Sequence, residues 1–261
     1  MIRLYPALCS VTFRKLTPAA IVELAASAGV AAIEWGADLH VRPGEPAAAR
    51  EVRSLTETNG LRVASYGSYW RPDDTSGSSA IIDTALALGA PNIRIWPGFT
   101  GRDSSGYSQP ERRAVADAIR AIASAASRAG ITLGLEYHPK TLTDTLESAR
   151  ALLSEIDRPE VFTYWQPRPG LPLEPARTEL AALAPDLSHL HVFEWDAAGA
   201  RYSLSRGRAY WAEVFAALQP GRWPGDRYAM LEFVADDNAD QFRQDAAELI
   251  KLLVTPSPTP P

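Results

Sequence analysis

Four times in the first half of the chain, an Ala/Leu-rich stretch closes on a glycine and a β-branched or aromatic run begins one to three residues later. TPAAIVELAASAG precedes VAAIEW, and EPAAAREVRSLTETNG precedes LRVASY. SSAIIDTALALG precedes APNIRIW, and QPERRAVADAIRAIASAASRAG precedes ITLGLEY. Gly29, Gly60, Gly89 and Gly130 thus fall at helix C-termini, where a left-handed residue costs least without a Cβ. Thr17 and Pro18 supply an N-cap and a first helical residue for the first helix. The strand runs are short, apolar and read as mostly unalternated, the pattern of strands buried on both faces. Strand–helix alternation of this kind demands parallel strands with helical crossovers. Strands are expected near 3–9, 31–35, 62–66, 92–96, 131–136, 161–165, 188–193 and 228–233. Eight such units in 261 residues match the roughly 250 residues of a closed barrel. An open doubly wound sheet is the rival, but no GxGxxG or GxxxxGK(S/T) follows the first strand. The expected fold is α/β, a single (β/α)8 TIM barrel over residues 1–253. Residues 254–261 form a Pro-rich tail, expected to be disordered because it cannot hold a regular hydrogen-bonded element.

Composition narrows the partners. The net charge is −5 and no basic block offsets it, which argues against nucleic acid and against an anionic membrane surface. Apolar residues make up 46% of the chain, ample for a core, and no run of 18 apolar residues suggests a membrane span. The single cysteine, Cys9, permits no intrachain disulfide, as in a reducing compartment. The N-terminus MIRLYPALCS lacks the apolar region of a signal peptide. A cytoplasmic enzyme is expected.

Catalytic groups of a barrel come from the C-terminal ends of its strands, so the residues found there carry the functional reading. All four histidines, His40, His138, His189 and His191, lie at or just past strand ends, as do five of the seven tryptophans. Aromatic walls with a few polar groups suit a small-molecule pocket. Glu136 in LGLEY and Glu232 in AMLEF interrupt apolar strands, and an unpaired buried carboxylate is very costly. A shared divalent cation would compensate both. His191 can add a neutral imidazole and Gln166 a carbonyl oxygen, a donor set that suits Mn²⁺ foremost, or Mg²⁺, Co²⁺ or Zn²⁺. The competing reading pairs Glu136 with an inward arginine such as Arg94, and Glu34 likewise. His189 and His191 are read as alternating, one toward the barrel and the other toward the helices. Glu34, His40, Tyr66, Arg94, Trp96, His138, Trp165, Arg168 and Trp195 are the candidate substrate-binding residues. No GxSxG occurs, so a nucleophile triad is not indicated.

With IEWGADLHV after strand 2, LGLEYHP at strand 5, HLHVFEW at strand 7 and MLEF at strand 8, the chain resembles the xylose isomerase-like TIM-barrel superfamily. That superfamily holds sugar and sugar-phosphate isomerases and epimerases and an endonuclease of abasic DNA. The resemblance implies one metal held by Glu136, the strand-6 position, His191 and Glu232. The family usually has Asp at strand 6 with a His shortly after, whereas this chain reads TYWQPRPG, so the ligand there would be Gln166. The arginine that ketose 3-epimerases place after strand 7 is not matched. Four histidines and a net charge of −5 do not suit the endonuclease.

The expected function is a metal-dependent sugar isomerase or epimerase. Glu136 and Glu232 would be the catalytic pair, moving a proton alpha to a carbonyl through an enediolate. A lyase or dehydratase acting on a sugar- or cyclitol-like ketone is the nearest alternative, and a non-catalytic sugar-binding barrel is a further one. The expected partner is a small sugar-like molecule, and a homodimer or homotetramer is compatible with such a barrel.

Overall fold

A computed structural model describes residues 3–254. Eight parallel strands close in sequence order into a barrel, β1 pairing with β8. The strands are β1 Leu4–Cys9, β2 Ala32–Gly36, β3 Arg62–Gly67, β4 Asn92–Ile95, β5 Thr132–Leu135, β6 Val161–Trp165, β7 Leu187–Val192 and β8 Arg227–Leu231. The helices are α1 Pro18–Ala28, α2 Pro46–Thr58, α3 Ser78–Leu88, α4 Gln109–Arg128, α5 Leu146–Ile156, α6 Leu173–Leu183, α7 Arg208–Ala216 and α8 Ala239–Val254. The expected (β/α)8 barrel is therefore the fold observed. Gly29, Gly60, Gly89 and Gly130 all take positive φ, and the Thr17 hydroxyl accepts from the Ala20 amide at 3.3 Å. Val254, placed at the start of the expected tail, is the last residue of α8; residues 255–261 of that tail lie outside the described residues. Among the described residues no helix is long and apolar enough to cross a membrane.

The strands alternate more than their composition suggests. Outward residues such as Ile93, Ile95, Leu133, Leu135, Trp165 and Leu190 join the helices in one large apolar layer. Inward residues form a second, smaller cluster including Ala7, Cys9, Ala32, Ala64, Tyr164, Tyr228 and Met230. Small residues on one side make room for aromatic rings from the other. A Cβ on Gly134 would stand 2.3 Å from the Tyr164 ring, so glycine is what allows that ring to cross the barrel. The Tyr164 hydroxyl donates to Asn92 Oδ1 at 3.1 Å.

His189 and His191 do not alternate. Residues two apart on a strand share a face, and both rings stand edge-on to Tyr164, at 5.0 and 5.4 Å. His189 occupies the lower layer, where its Nδ1 accepts from the Tyr228 amide at 3.2 Å. Burial pushes its pKa down to about 3, so it is held neutral. An unfolded histidine titrates near pH 6.5. Between those values the unfolded chain binds a proton that the folded chain refuses. Stability should therefore fall as pH drops through that window, by up to about 1.4 kcal/mol per pH unit from this group. Urea midpoints taken between pH 7 and pH 4 test this. His189→Phe is expected to flatten the dependence, and equal slopes for the two proteins would refute the assignment.

Candidate active site

The upper end of the inward face carries ionisable residues where the lower layers carry rings and alanines. Glu34 from β2, Arg94 from β4, Glu136 just past β5, Gln166 just past β6, His191 from β7 and Glu232 just past β8 share one level. All six are buried. Their inward parity continues that of Asn92, Gly134, Tyr164, His189 and Met230 along the same strands.

Arg94 is the organising cation. Its Nε donates to Glu34 Oε1 at 2.8 Å, and its Nη1 donates to Glu136 Oε2. Glu34 also accepts from the Ser65 hydroxyl at 2.6 Å. Burial opposes the charge on Glu34, but Arg94, His191 and Ser65 outweigh it and hold the carboxyl well below the usual range. The arginine pairing weighed for Glu136 is thus present, and it occupies one carboxylate oxygen. The other, Oε1, stands 3.8 Å from His191 Nδ1. Around that nitrogen also lie Gln166 Oε1 at 2.7 Å and Glu232 Oε2 at 3.4 Å. The opposite nitrogen, Nε2, is buried without a hydrogen bond and faces Glu34 Oε1 at 3.6 Å.

These distances allow a test of whether the residues fit a cation. Donors bound about 2.1 Å from an octahedral ion stand about 3 Å apart, close to the spacing around His191 Nδ1. Donor atoms of Glu136, His191 and Glu232 all lie within 4.8 Å of one another. The charge balance points the same way. Three carboxylates against one guanidinium leave two negative charges on side chains that are at most 8% exposed. Burial raises the Glu232 pKa, and Glu136 and Glu34 add to the effect against the pull of His191 and Arg94. Burial works to lower the pKa of His191, but Glu232 and Glu34 overcome it and raise it. A divalent cation there would compensate the same carboxylate charge. The residues present fit one.

Above this floor opens a cavity of about 370 Å³. Arg94, Glu136, Gln166 and Glu232 reach it, with Trp96, His138, Arg168 and Trp195 on its walls. His138 lies on the Trp96 ring at 4.4 Å, while Phe193, Trp195 and Phe233 form a second aromatic wall. Phe233, directly after Glu232, takes a left-handed φ of 49°. Such strain in a non-glycine residue costs of order 1–3 kcal/mol and clusters at functional sites. Its amide donates to Thr12 Oγ1 at 3.0 Å, which fixes the turn.

Four residues expected to touch substrate do not line the cavity. Glu34 lies beneath the floor, bound to Arg94. His40 bonds the Ser10 hydroxyl at 3.0 Å through Nδ1 and packs against Trp35. The Tyr66 hydroxyl donates to Val41 O at 2.7 Å. Trp165 points into the helical layer, where its Nε1 donates to Glu179 Oε2 at 2.9 Å. Its neighbour Gln166 faces the cavity, and adjacent strand residues cannot share a face. Conversely, Arg14, Tyr69, Asp144 and Phe233 reach the cavity without having been singled out as substrate-binding residues. Phe233 was signalled by its place beside Glu232. Asp144 comes from a loop, where no periodicity points inward.

Three comparisons bear on this geometry. A family model described as a xylose isomerase-like TIM barrel matches residues 22–252. A 69-residue stretch is 41% identical to a 3-dehydroshikimate dehydratase of Bacillus anthracis, 26% of this chain and 24% of that protein. The match therefore spans about a quarter of the length of that curated relative. Among solved structures, a probable 3-DHS dehydratase of Bacillus anthracis involved in petrobactin synthesis superposes with a TM-score of 0.76. It is 22% identical, over 95% of this chain and 99% of that one. A D-allulose 3-epimerase of Methylomonas sp. superposes with a TM-score of 0.71 at 18% identity, over 97% and 99%. At these identities the two structures speak for the fold alone.

Proposed function

The chain belongs to the xylose isomerase-like TIM-barrel family, and from that premise we propose that it is a metal-dependent isomerase or epimerase of a polyhydroxylated ketone. The observation that carries this reading is the meeting of Glu136 and Glu232 at His191 Nδ1, at the floor of a cavity walled by aromatic rings. Glu136, Gln166, His191 and Glu232 would hold the cation, which when bound polarises the substrate carbonyl and stabilises charge on its oxygen. Glu232, whose raised pKa suits proton exchange, removes the proton alpha to the carbonyl. Glu136, paired with Arg94, is the second acid–base group: entering turnover as the carboxylic acid, it delivers a proton to the other face or the neighbouring carbon, and exchange with water resets the two carboxyl groups. The rings of Trp96 and Trp195 exclude water from the enediolate. Gln166 contributes an oxygen but no charge, so the site has one negative charge fewer than an aspartate would give.

Dehydration is the second reading, and two observations favour it: the 41% identical stretch shared with a dehydratase, and the guanidinium-bearing Arg14 and Arg168 on the cavity wall. Arg168 reaches Glu179 only at 3.4 Å, leaving it able to meet an anionic group such as a substrate carboxylate. The same first proton abstraction, followed by loss of a β-hydroxyl, gives elimination.

Incubation in D₂O with a panel of ketoses and cyclic hydroxyketones, after loading with Mn²⁺, Mg²⁺, Co²⁺ or Zn²⁺, tests both readings. Deuterium entering the carbon alpha to the carbonyl in a recovered isomer is the expected result. A conjugated product absorbing in the ultraviolet would select dehydration. No exchange and no elimination with any member of the panel would reject both.

A further inference from the structure

The active-site cavity has a neighbour that the reaction leaves unused. A second cavity, of about 440 Å³, opens among the loops that follow β2, β3 and β4. It therefore lies at the same C-terminal mouth of the barrel as the site. Asp38 reaches it from the first loop, Arg71, Asp73 and Asp74 from the second, and Thr100 from the third. The two cavities meet at Tyr69, which lines both. The Tyr69 ring is 39% exposed and packs against Trp96 of the active-site wall, with centroids 6.1 Å apart. An ion pair joins the two spaces as well, between Arg14 on the first cavity and Asp38 on the second.

This boundary opens at little cost. The Arg14 and Asp38 side chains are 49% and 24% exposed, and an ion pair so open to solvent contributes little. The first cavity, at about 370 Å³, stands near the lower end of the roughly 300–1,000 Å³ of small-molecule sites, so one sugar ring suffices to fill it. The chemistry of the second suits a further ring. Asp38, Asp73 and Asp74 outnumber Arg71 on its wall, which disfavours an anionic group such as a phosphate. Asp73 Oδ2 accepts from the Thr100 amide at 2.8 Å, and Asp74 Oδ1 accepts from the Ser76 amide at 3.1 Å. Both exposed carboxylates are thus anchored to backbone through one oxygen, and the other oxygen of each has lone pairs for hydroxyl donors. The exposed Tyr69 ring between the cavities offers a flat apolar surface to the C–H face of a sugar.

We propose that the second cavity is a binding subsite for an uncharged sugar unit, so that the substrate is a glycosyl-substituted ketose reaching past Tyr69. The proposal rests on the polyhydroxylated-ketone reading and extends its substrate from one ring to two. Tyr69 and the Asp73–Asp74 segment act in binding and specificity, outside the proton transfer.

Calorimetric titration of the Mn²⁺-loaded protein compares D-fructose with turanose, maltulose and isomaltulose, three glucosyl-fructoses that differ in linkage. At least one disaccharide is expected to bind about tenfold or more tightly than D-fructose. Two variants locate the preference. Tyr69→Ala removes the shared ring. Gly77→Tyr adds bulk on the wall of the second cavity alone, where φ is −87° and a Cβ meets nothing within 4 Å. Loss of the preference in either variant, with melting temperatures kept, supports the subsite. Its retention in both overturns the proposal, as does a wild type that binds no disaccharide more tightly than D-fructose. Incubation of the same sugars in D₂O separates the two readings. Deuteration of D-fructose without any disaccharide preference would sink the subsite and leave the isomerase reading standing. A disaccharide preference with no α-carbon deuteration of any sugar would do the reverse.

Discussion

Replacing Glu232 by glutamine is expected to cut turnover by about 10³-fold while leaving the barrel folded. Glutamine has the shape of the glutamate it replaces but cannot take up a proton at pH 7. It also removes one of the two anionic donors beside His191 Nδ1, where Gln166 is already neutral, so cation affinity should fall with turnover. The fold has no need of the charge. Burial and the neighbouring carboxylates Glu136 and Glu34 raise the Glu232 pKa, which means that the anion is held against its preference. Removing it relieves that repulsion, and the metal-free melting temperature should hold or rise, as functional sites commonly trade stability for activity. Elemental analysis of the purified variant, its melting curve and its rate of α-proton exchange with added Mn²⁺ are the three measurements. A variant that exchanges protons at the wild-type rate would remove Glu232 from the mechanism.

The barrel could be read from the chain because its repeating unit leaves local signals. Glycines at helix ends and β-branched runs follow from backbone sterics within a dozen residues, and β4, expected at 92–96, spans Asn92–Ile95. Glu136, Gln166, His191 and Glu232 stand out in the sequence because polar residues at strand ends are costly unless they share a purpose. Strand parity carries further information. Asn92 and Arg94, Thr132 and Gly134, Tyr164 and Gln166, and His189 and His191 are spaced by two and face the barrel axis together. Reading that spacing would have turned Trp165 outward and placed both histidines inside. What no local pattern contains is distance between loops. Asp144 meets the Ser104 amide across 40 residues, and Arg94 stands between Glu34 and Glu136 because three strands converge there.

That convergence makes Arg94→Met the most damaging single change expected for the fold. Arg94, Glu34 and Glu136 have side chains only 2–3% exposed, so solvent screens their charges little. Methionine fills part of the volume and leaves two buried carboxylates without a counter-ion. Breaking one side of a buried pair costs about 3–5 kcal/mol, which for a barrel of this size corresponds to a melting temperature lowered by about 6–20 °C. Activity should fall as well, because the Arg94 guanidinium is what holds the Glu136 carboxylate in place at the cavity floor. The cause can be separated from simple loss of packing. If uncompensated charge is responsible, Glu34→Gln introduced into Arg94→Met should restore part of the lost stability, although Glu34→Gln alone weakens the protein by removing a partner from Arg94. A coupling of about 1–3 kcal/mol between the two positions is expected from such contact. If the damage were a cavity alone, the second substitution would add its own cost and recover nothing, and the electrostatic account of this floor would fail with it.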